Sequence, residues 1–243
     1  MEQSAYQEMA RVQDTHWWFC TRRHILETVL KRLSLPKQPK IVEIGCGTGA
    51  NLGMLKKFAG TLIGVEPGEY PRTQALLKHD VVLNGALPDT LPSECRDADV
   101  VLALDVLEHV VEDAASLSAM AGLLKPGGAL ILTVPAHPWL WSAHDVANHH
   151  HRRYRRKDFA AMLSATGLSV TLLSYYNFWL FPVVVLKRVL DKIRGVNEGS
   201  DLAMPAPMVN KALYHIFSSE RVLLGRLALP FGVSLIAVLR KPH

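Results

Sequence analysis

Val42-Glu43-Ile44-Gly45-Cys46-Gly47-Thr48-Gly49-Ala50 sets the fold. An apolar, β-branched run passes straight into a glycine-rich turn, and a helical pattern from Asn51 to Phe58 follows. That reads as a buried strand turning into a helix, with glycines that let backbone approach a ligand unobstructed by a Cβ. Outward from this unit the same alternation continues. Strands are expected at Ile41 to Ile44, Thr61 to Val65, Val81 to Leu83, Asp99 to Leu104 and Ala129 to Val134. Helical patterns fill the gaps at Pro71 to His79 and Glu112 to Leu124, the latter ending at Lys125-Pro126-Gly127-Gly128, a helix stop and tight turn. After a helix at Arg156 to Thr166, Ser169 to Tyr175 and Ser234 to Arg240 alternate as sixth and seventh strands. Strands alternating with helices predict an α/β fold, a doubly wound, Rossmann-like sheet covered on both faces.

The chain has 243 residues, 49% of them hydrophobic, enough for one substantial core. We expect one domain over 1–243: an N-terminal helical region (1–38), a core sheet (39–175 and 233–243) and a helical cap inserted between strands six and seven (176–232). The N-terminal helix is expected around Trp17-Trp18-Phe19 and Arg22-Arg23-His24, and the cap helices at Val183 to Ile193 and Asn210 to Leu227. Phe178 to Leu186 is too short to cross a bilayer, and Val222 to Leu239 is broken by Arg226, Pro230 and Gly232. Cys20, Cys46 and Cys95 form no CxxC pair, so neither a disulfide framework nor a zinc site is indicated. With no secretory signal pattern at the N-terminus, a cytoplasmic protein is expected. A formal charge of +5 leaves the partner class open.

The glycine turn satisfies the dinucleotide pattern GxGxxG/A, which leaves a nicotinamide cofactor and S-adenosylmethionine both open. Glu66, at the end of the second strand, stands where a carboxylate can accept hydrogen bonds from both hydroxyls of a ribose. Three blocks in order decide between the two. Glu43-Ile44-Gly45-Cys46-Gly47-Thr48-Gly49, Asp105-Val106-Leu107-Glu108-His109-Val110 and Leu124-Lys125-Pro126-Gly127-Gly128 resemble the class I S-adenosylmethionine-dependent methyltransferases, the UbiE/UbiG-like group in particular. The resemblance is strong from Lys40 to Val134, and it implies a mostly parallel seven-stranded sheet whose last strand is antiparallel. It further implies S-adenosylmethionine as cofactor. Glu43 would lie near the amino-acid end, the backbone of Gly45, Cys46 and Gly47 would face the cofactor, and Gly49, Asn51 and Pro67 would complete its surroundings. This sequence has Gly85-Ala86-Leu87 where many relatives carry an acidic residue for the adenine amino group, so that contact passes to the backbone of Ala86 and Leu87. Leu104, Asp105 and Val106 would line the methionine portion, since ligands of open α/β sheets bind beyond the carboxyl ends of the strands.

Methyl transfer needs a nucleophile aligned with the methyl group, so a dedicated base is optional. His109, His144 and His150 are the candidate catalytic residues, each able to deprotonate a hydroxyl near neutral pH; His109 and Glu108 nonetheless read more often as structural, since the motif that carries them occurs in enzymes with unlike acceptors. The loop after strand five concentrates Trp139, Trp141, Asp145 and Tyr154, the candidate acceptor-binding residues, beyond the carboxyl edge of the sheet. No metal is expected, because His149-His150-His151 cannot all face one ion and no carboxylate stands at helical ligand spacing. Arg152, Arg155 and Arg156 read equally as solvated charge.

A small-molecule or lipid-like acceptor is expected, with O-methylation slightly favoured. The run Asn177-Phe178-Trp179-Leu180-Phe181-Pro182-Val183-Val184-Val185-Leu186-Lys187-Arg188 and the Trp17-Trp18-Phe19 cluster suit interfacial binding as well as they suit internal packing, which leaves peripheral association with the inner face of the membrane open. The alternatives are a non-catalytic nucleotide-binding regulatory module, against which the undamaged glycines and Glu66 argue, and a nucleic-acid methyltransferase. Arg152-Arg153-Tyr154-Arg155-Arg156-Lys157 would suit the second, but no Asn/Asp-Pro-Pro-Tyr/Phe motif is present and no nucleic-acid partner is expected. Oligomeric state is left open.

Overall fold

The computed structural model describes residues 3–193, 203–224 and 227–243. Two helices open the chain, α1 (Gln3–Val12) and α2 (Trp17–Lys31). The alternating unit follows: β1 (Lys40–Ile44), α3 (Leu52–Leu55), β2 (Thr61–Val65), α4 (Glu69–Leu76), β3 (Val82–Leu83), β4 (Ala98–Leu104), α5 (Asp113–Leu123) and β5 (Leu124–Pro135). Then come α6 (Ala143–Ala147), α7 (Arg156–Ser164), β6 (Ser169–Tyr176), α8 (Phe181–Ile193), α9 (Pro207–Ser219) and β7 (Ser234–Arg240). The strands form one seven-stranded sheet in the order β3-β2-β1-β4-β5-β7-β6. All pairs from β3 to β5 are parallel, and β7 runs antiparallel between β5 and β6. This is the mostly parallel, doubly wound sheet with a reversed last strand that the sequence predicts.

Burial explains the strand sequences. Every residue of β4, Ala-Asp-Val-Val-Leu-Ala-Leu, is buried, as both faces of a parallel sheet are covered by helices. Register then positions the site. Ile44 pairs with both Val65 and Ala103, so β1, β2 and β4 end at one level, and Gly45, Glu66 and Asp105 follow on one rim. Strand order reverses between β1 and β4, which opens a crevice at that rim.

Four elements differ from the sequence reading. Helix α3 stops at Leu55, because Lys57 and Phe58 donate to Met54 and Leu55 in a tightening turn. Lys125 to Gly128 do not form a separate turn but extend β5, with Gly127 N–H donating to Lys241 O (3.0 Å) and Lys241 N–H to Gly128 O (2.9 Å). Helix α9 ends at Ser219 and a 3-10 turn carries the chain to Val222, short of the expected Leu227, while residues 225 and 226, the second of them a break in the apolar run Val222 to Leu239, lie outside the described residues. Part of the expected cap, 194–202, also lies outside them. The N-terminal region holds two helices where one was expected, separated at His16, whose ring accepts from Trp18 N–H (3.3 Å).

Helix α2 buries Phe19, Ile25, Leu26, Val29 and Leu30. Its partner is α9. Asn210 accepts from Trp17 N–H and donates to Thr15 O, both at 2.9 Å, while Trp18 stacks on Phe217 with centroids 5.4 Å apart. Helix α8 buries no residue. Among the described residues no helix is long and apolar enough to cross a membrane.

Candidate functional site

The turn after β1 is shaped by three glycines in left-handed backbone conformation, Gly45, Gly47 and Gly49. A Cβ on Gly45 (φ +67°) would stand 2.6 Å from a Val106 methyl, so any side chain here forces Val106 aside. A Cβ on Gly47 (φ +55°) would meet nothing closer than Tyr6, at 4.0 Å, and would project into open space. That space is a cavity of about 840 Å³, lined by the turn, the strand ends and the N-terminal helices. Glu66, itself buried, sits on the wall with Oε2 accepting from Gly47 N–H and Oε1 from Gly68 N–H, both at 2.9 Å. Burial pushes its carboxyl above the usual range, against the pull of those two donors. Each oxygen keeps a further lone pair for a ligand.

Several candidate residues stand along this end of the cavity: Gly45, Cys46, Gly47, Asn51, Glu66, Pro67, Ala86, Leu87, Leu104, Asp105 and Val106. Glu43 and Gly49 do not reach the wall. Glu43 lies behind Asn51, accepting from its Nδ2 (2.7 Å), and burial raises its carboxyl to about 7. Gly49 packs instead on Ala75, whose Cα would lie 3.2 Å from an added Cβ.

The N-terminal helices close the cavity, which the sequence reading did not anticipate. Tyr6 and Met9 of α1 and Gln13 just after it line it, and Thr48 Oγ1 donates to Gln13 Oε1 (2.8 Å). Arg22 of α2 reaches the rim, where Nη2 pairs with Asp105 Oδ2 at 2.5 Å and donates to Thr133 Oγ1 at 3.3 Å. Burial would lower the guanidinium, but Asp105 and Glu108 hold it charged. The signal for α1 in the sequence is the amphipathic pattern of Gln3 to Val12, which carries no aromatic cluster like Trp17-Trp18-Phe19.

At the other end, a 3-10 turn after β4 (Leu107–His109) faces a lid made of α6 and the segment to Tyr154. Asp145 anchors that lid. Its Oδ2 accepts from Ser142 N–H (2.9 Å) and Oγ (3.1 Å), closing a capping box, and its Oδ1 meets Arg153 Nε (2.7 Å) and His150 Nδ1 (2.9 Å). Burial alone would raise this carboxyl, but bonds from His150 and Arg153 outweigh it and hold it well below the carboxylate range. His151 N–H donates to Glu108 O (2.7 Å), which ties lid to turn. The His109 and His150 rings meet edge to face with centroids 4.6 Å apart, and the His144 ring stands 6.2 Å from His150. Burial, with help from His150, lowers His109 to about 3. Glu108 is 1% exposed; burial and then Asp105 push its carboxyl well above the ordinary range.

All three candidate catalytic histidines, His109, His144 and His150, stand on the cavity wall. The four candidate acceptor residues do not. Trp139 (60% exposed) and Trp141 (42%) face solvent, because the short turn that carries them leans on His137 and Phe181 at the outside of the lid. Asp145 is wholly buried behind His150, and Tyr154 is buried with its hydroxyl donating to Asp113 Oδ2 (3.0 Å). Helical spacing is a test along one element, but Glu108 approaches His109 and His150 from the end of β4, an arrangement that spacing along one helix cannot express.

A methyltransferase-domain family model matches residues 18–173. The ubiquinone biosynthesis O-methyltransferase of Bradyrhizobium diazoefficiens is 29% identical over 104 residues, which are 41% of this chain and 41% of that protein. The human mitochondrial enzyme of the same name is 28% identical over 145 residues, 54% of this chain and 38% of that one. The aligned stretches thus span less than half the length of these relatives. Among solved structures, an S-adenosylmethionine-dependent methyltransferase of Thermotoga maritima superposes with a TM-score of 0.61 at 17% identity, covering 98% of this chain and 95% of that one, a likeness of fold. The family match runs from α2 through β1 and the glycine turn into β6, and on that ground the chain belongs to the methyltransferase-domain family.

Proposed function

We propose that the protein transfers the methyl group of S-adenosylmethionine to a hydroxyl oxygen of a small acceptor that carries an apolar or lipid-like portion. One observation carries the reading: a single cavity runs from the Gly45–Gly47 turn and Glu66 to His109, His144 and His150. S-adenosylmethionine supplies an electrophilic methyl group on a sulfonium centre. Toward it, Glu66 offers two acceptor oxygens to the ribose hydroxyls, held in place by the Gly47 and Gly68 N–H groups. The bare face of Gly47 leaves the backbone open to close approach. Asn51, braced by Glu43, serves the amino-acid end; Ala86 and Leu87 flank the adenine, and Leu104, Asp105 and Val106 floor the methionine portion.

The acceptor hydroxyl lies in this reading at the lid end. Asp145 accepts the Nδ1 proton of His150, which leaves Nε2 as a proton acceptor. The hydroxyl proton passes to that nitrogen, the O–CH3 bond forms, and the S–CH3 bond breaks with its electron pair kept on sulfur. Alignment of oxygen, methyl and sulfur supplies much of the rate. An apolar tail has a route along α8, whose Val184 and Lys187 line the cavity and whose Val183, Leu186, Val189 and Ile193 are exposed. That helix is suited to lie on a lipid surface.

Calorimetric titration with S-adenosylmethionine and S-adenosylhomocysteine tests the reading, with Glu66→Ala and NADH as controls. Micromolar binding of both, lost in the variant, is expected. Preference for NADH, or no binding of either sulfur ligand, overturns it.

A further inference from the structure

The lid end of the cavity holds a second set of groups with its own logic. Among the described residues, Glu108, His109 and His150 bring three metal-ligating atoms within 4.8 Å of one another, and all three side chains line the cavity. Neither oxygen of the buried Glu108 carboxyl has a hydrogen-bond partner. A buried polar group without partners is costly, and an enclosed carboxyl beside two imidazoles is a place where a cation relieves that cost.

The surrounding residues prepare the ligands. Asp145 Oδ1 lies 2.9 Å from His150 Nδ1, and Arg153 and Ser142 hold the carboxylate still, so the His150 Nε2 lone pair is aimed and its tautomer set. A carboxylate behind a histidine is the usual outer support of a metal-bound imidazole. The His109 ring lies against the Asn148 carbonyl on the same lid. Charge agrees. Arg22 is in contact with Asp105 and Arg153 with Asp145, so both guanidiniums act on Glu108 only from a distance and neither makes an ion-pair contact with its carboxyl.

We propose that Glu108, His109 and His150 form a binding site for one divalent first-row transition-metal ion, with open coordination positions facing the cavity. Two imidazole nitrogens and one carboxylate oxygen suit zinc, cobalt, iron or manganese rather than magnesium or calcium, which favour oxygen ligands throughout. Three protein ligands leave room for a small molecule on the ion. Resting on the methyl-transfer reading above, the acceptor hydroxyl takes that position: the ion lowers the hydroxyl pKa, the proton leaves to water, and the metal-held oxygen attacks the methyl group. His150 then serves as ligand instead of base.

Chelator-stripped full-length protein titrated with Co2+, followed by visible absorbance and displaced by Zn2+, tests the site directly. We expect one ion per chain at micromolar affinity. Glu108→Gln and His150→Ala should each weaken it at least a hundredfold. Asp145→Asn, which touches no ion, should weaken it about 10- to 100-fold. Binding of S-adenosylhomocysteine at the Glu66 end, unchanged within a few-fold, reports that each variant is folded. Should Glu108→Gln fail that check, His150→Ala carries the comparison, because His150 belongs to the lid and not to the sheet. Absence of Co2+ and Zn2+ binding below millimolar concentration, or equal binding in the wild type and His150→Ala, overturns the proposal. Wild-type protein that binds the homocysteine ligand but no metal refutes the metal site alone; protein that binds metal but not that ligand refutes the methyl-transfer reading alone.

Discussion

Arg22→Ala should lower stability by about 2–3 kcal/mol, a figure that follows from where its two partners sit. The guanidinium is 2.5 Å from Asp105 Oδ2 and 3.3 Å from Thr133 Oγ1. Removing one member of a fully buried pair costs about 3–5 kcal/mol, whereas exposed pairs contribute about 0.2–1 kcal/mol. The side chains of Arg22 and Asp105 keep 13% and 24% exposure on the cavity side, so the pair lies between those limits at about 2 kcal/mol. The guanidinium also stands 5.8 Å from the Trp18 ring centroid, worth about 0.5–1 kcal/mol. Asp105→Asn is the partner variant, because asparagine tolerates the left-handed backbone at φ +55° and can still accept from Thr133. In Arg22→Ala/Asp105→Asn no carboxylate is stranded, so the double variant should be more stable than the sum of single losses implies, by about 1–2 kcal/mol. Urea unfolding followed by tryptophan fluorescence reads this as midpoint shifts at constant slope. Helix α2 places Trp17, Trp18 and Phe19 on the cavity wall, so S-adenosylhomocysteine affinity should fall with Arg22→Ala as well. An Arg22→Ala loss under about 0.5 kcal/mol, or strict additivity in the double variant, refutes a buried, coupled pair.

Two further outcomes separate local roles. Gly45→Ala and Gly47→Ala both strain a left-handed residue by about 1–2 kcal/mol, but only the first drives a methyl against Val106. Gly45→Ala should therefore lower Tm by about 4–8 °C, and Gly47→Ala should lower it less while losing more affinity for S-adenosylhomocysteine; the reverse ranking in scanning calorimetry and titration would contradict the geometry. The buried Glu220 accepts from Trp179 N–H at 2.9 Å, and burial raises its carboxyl to about 7. Because the folded state holds this proton more tightly than the unfolded one, its contribution is full below about pH 4.5 and is lost as pH rises through about 7. Measured by urea midpoints from pH 5 to pH 8, the stability of the wild type relative to Glu220→Gln should fall with pH; a flat or rising difference excludes the shift.

What the sequence made legible follows the range of the forces involved. Val42 to Gly49 and Ala98 to Leu104 announce themselves because strands buried on both faces must be apolar almost throughout, and the turn between β1 and α3 is decided by glycines adjacent in the chain. Glu66 is found by its place at a strand end, since register brings the ends of β1, β2 and β4 level. The lid obeys no such local rule. Trp139 and Trp141 have the residue types of a ligand pocket, yet the Ala136–Tyr154 bridge and the Asp145 capping box turn the backbone so that His144 and His150 enter the cavity while the indoles face outward. Tyr6 and Gln13 escape a local reading for the same reason, since the contacts that place them at the cavity, Thr48 Oγ1 on Gln13 Oε1 and the approach of the Tyr6 ring to Gly47, lie far away in sequence. On the proposed reading, acceptor selection rests on long-range contacts of the lid such as His151 N–H to Glu108 O. Substitutions on the lid, His144 and His150 among them, should therefore change acceptor use before they change whether the glycine turn and Glu66 hold their ligand.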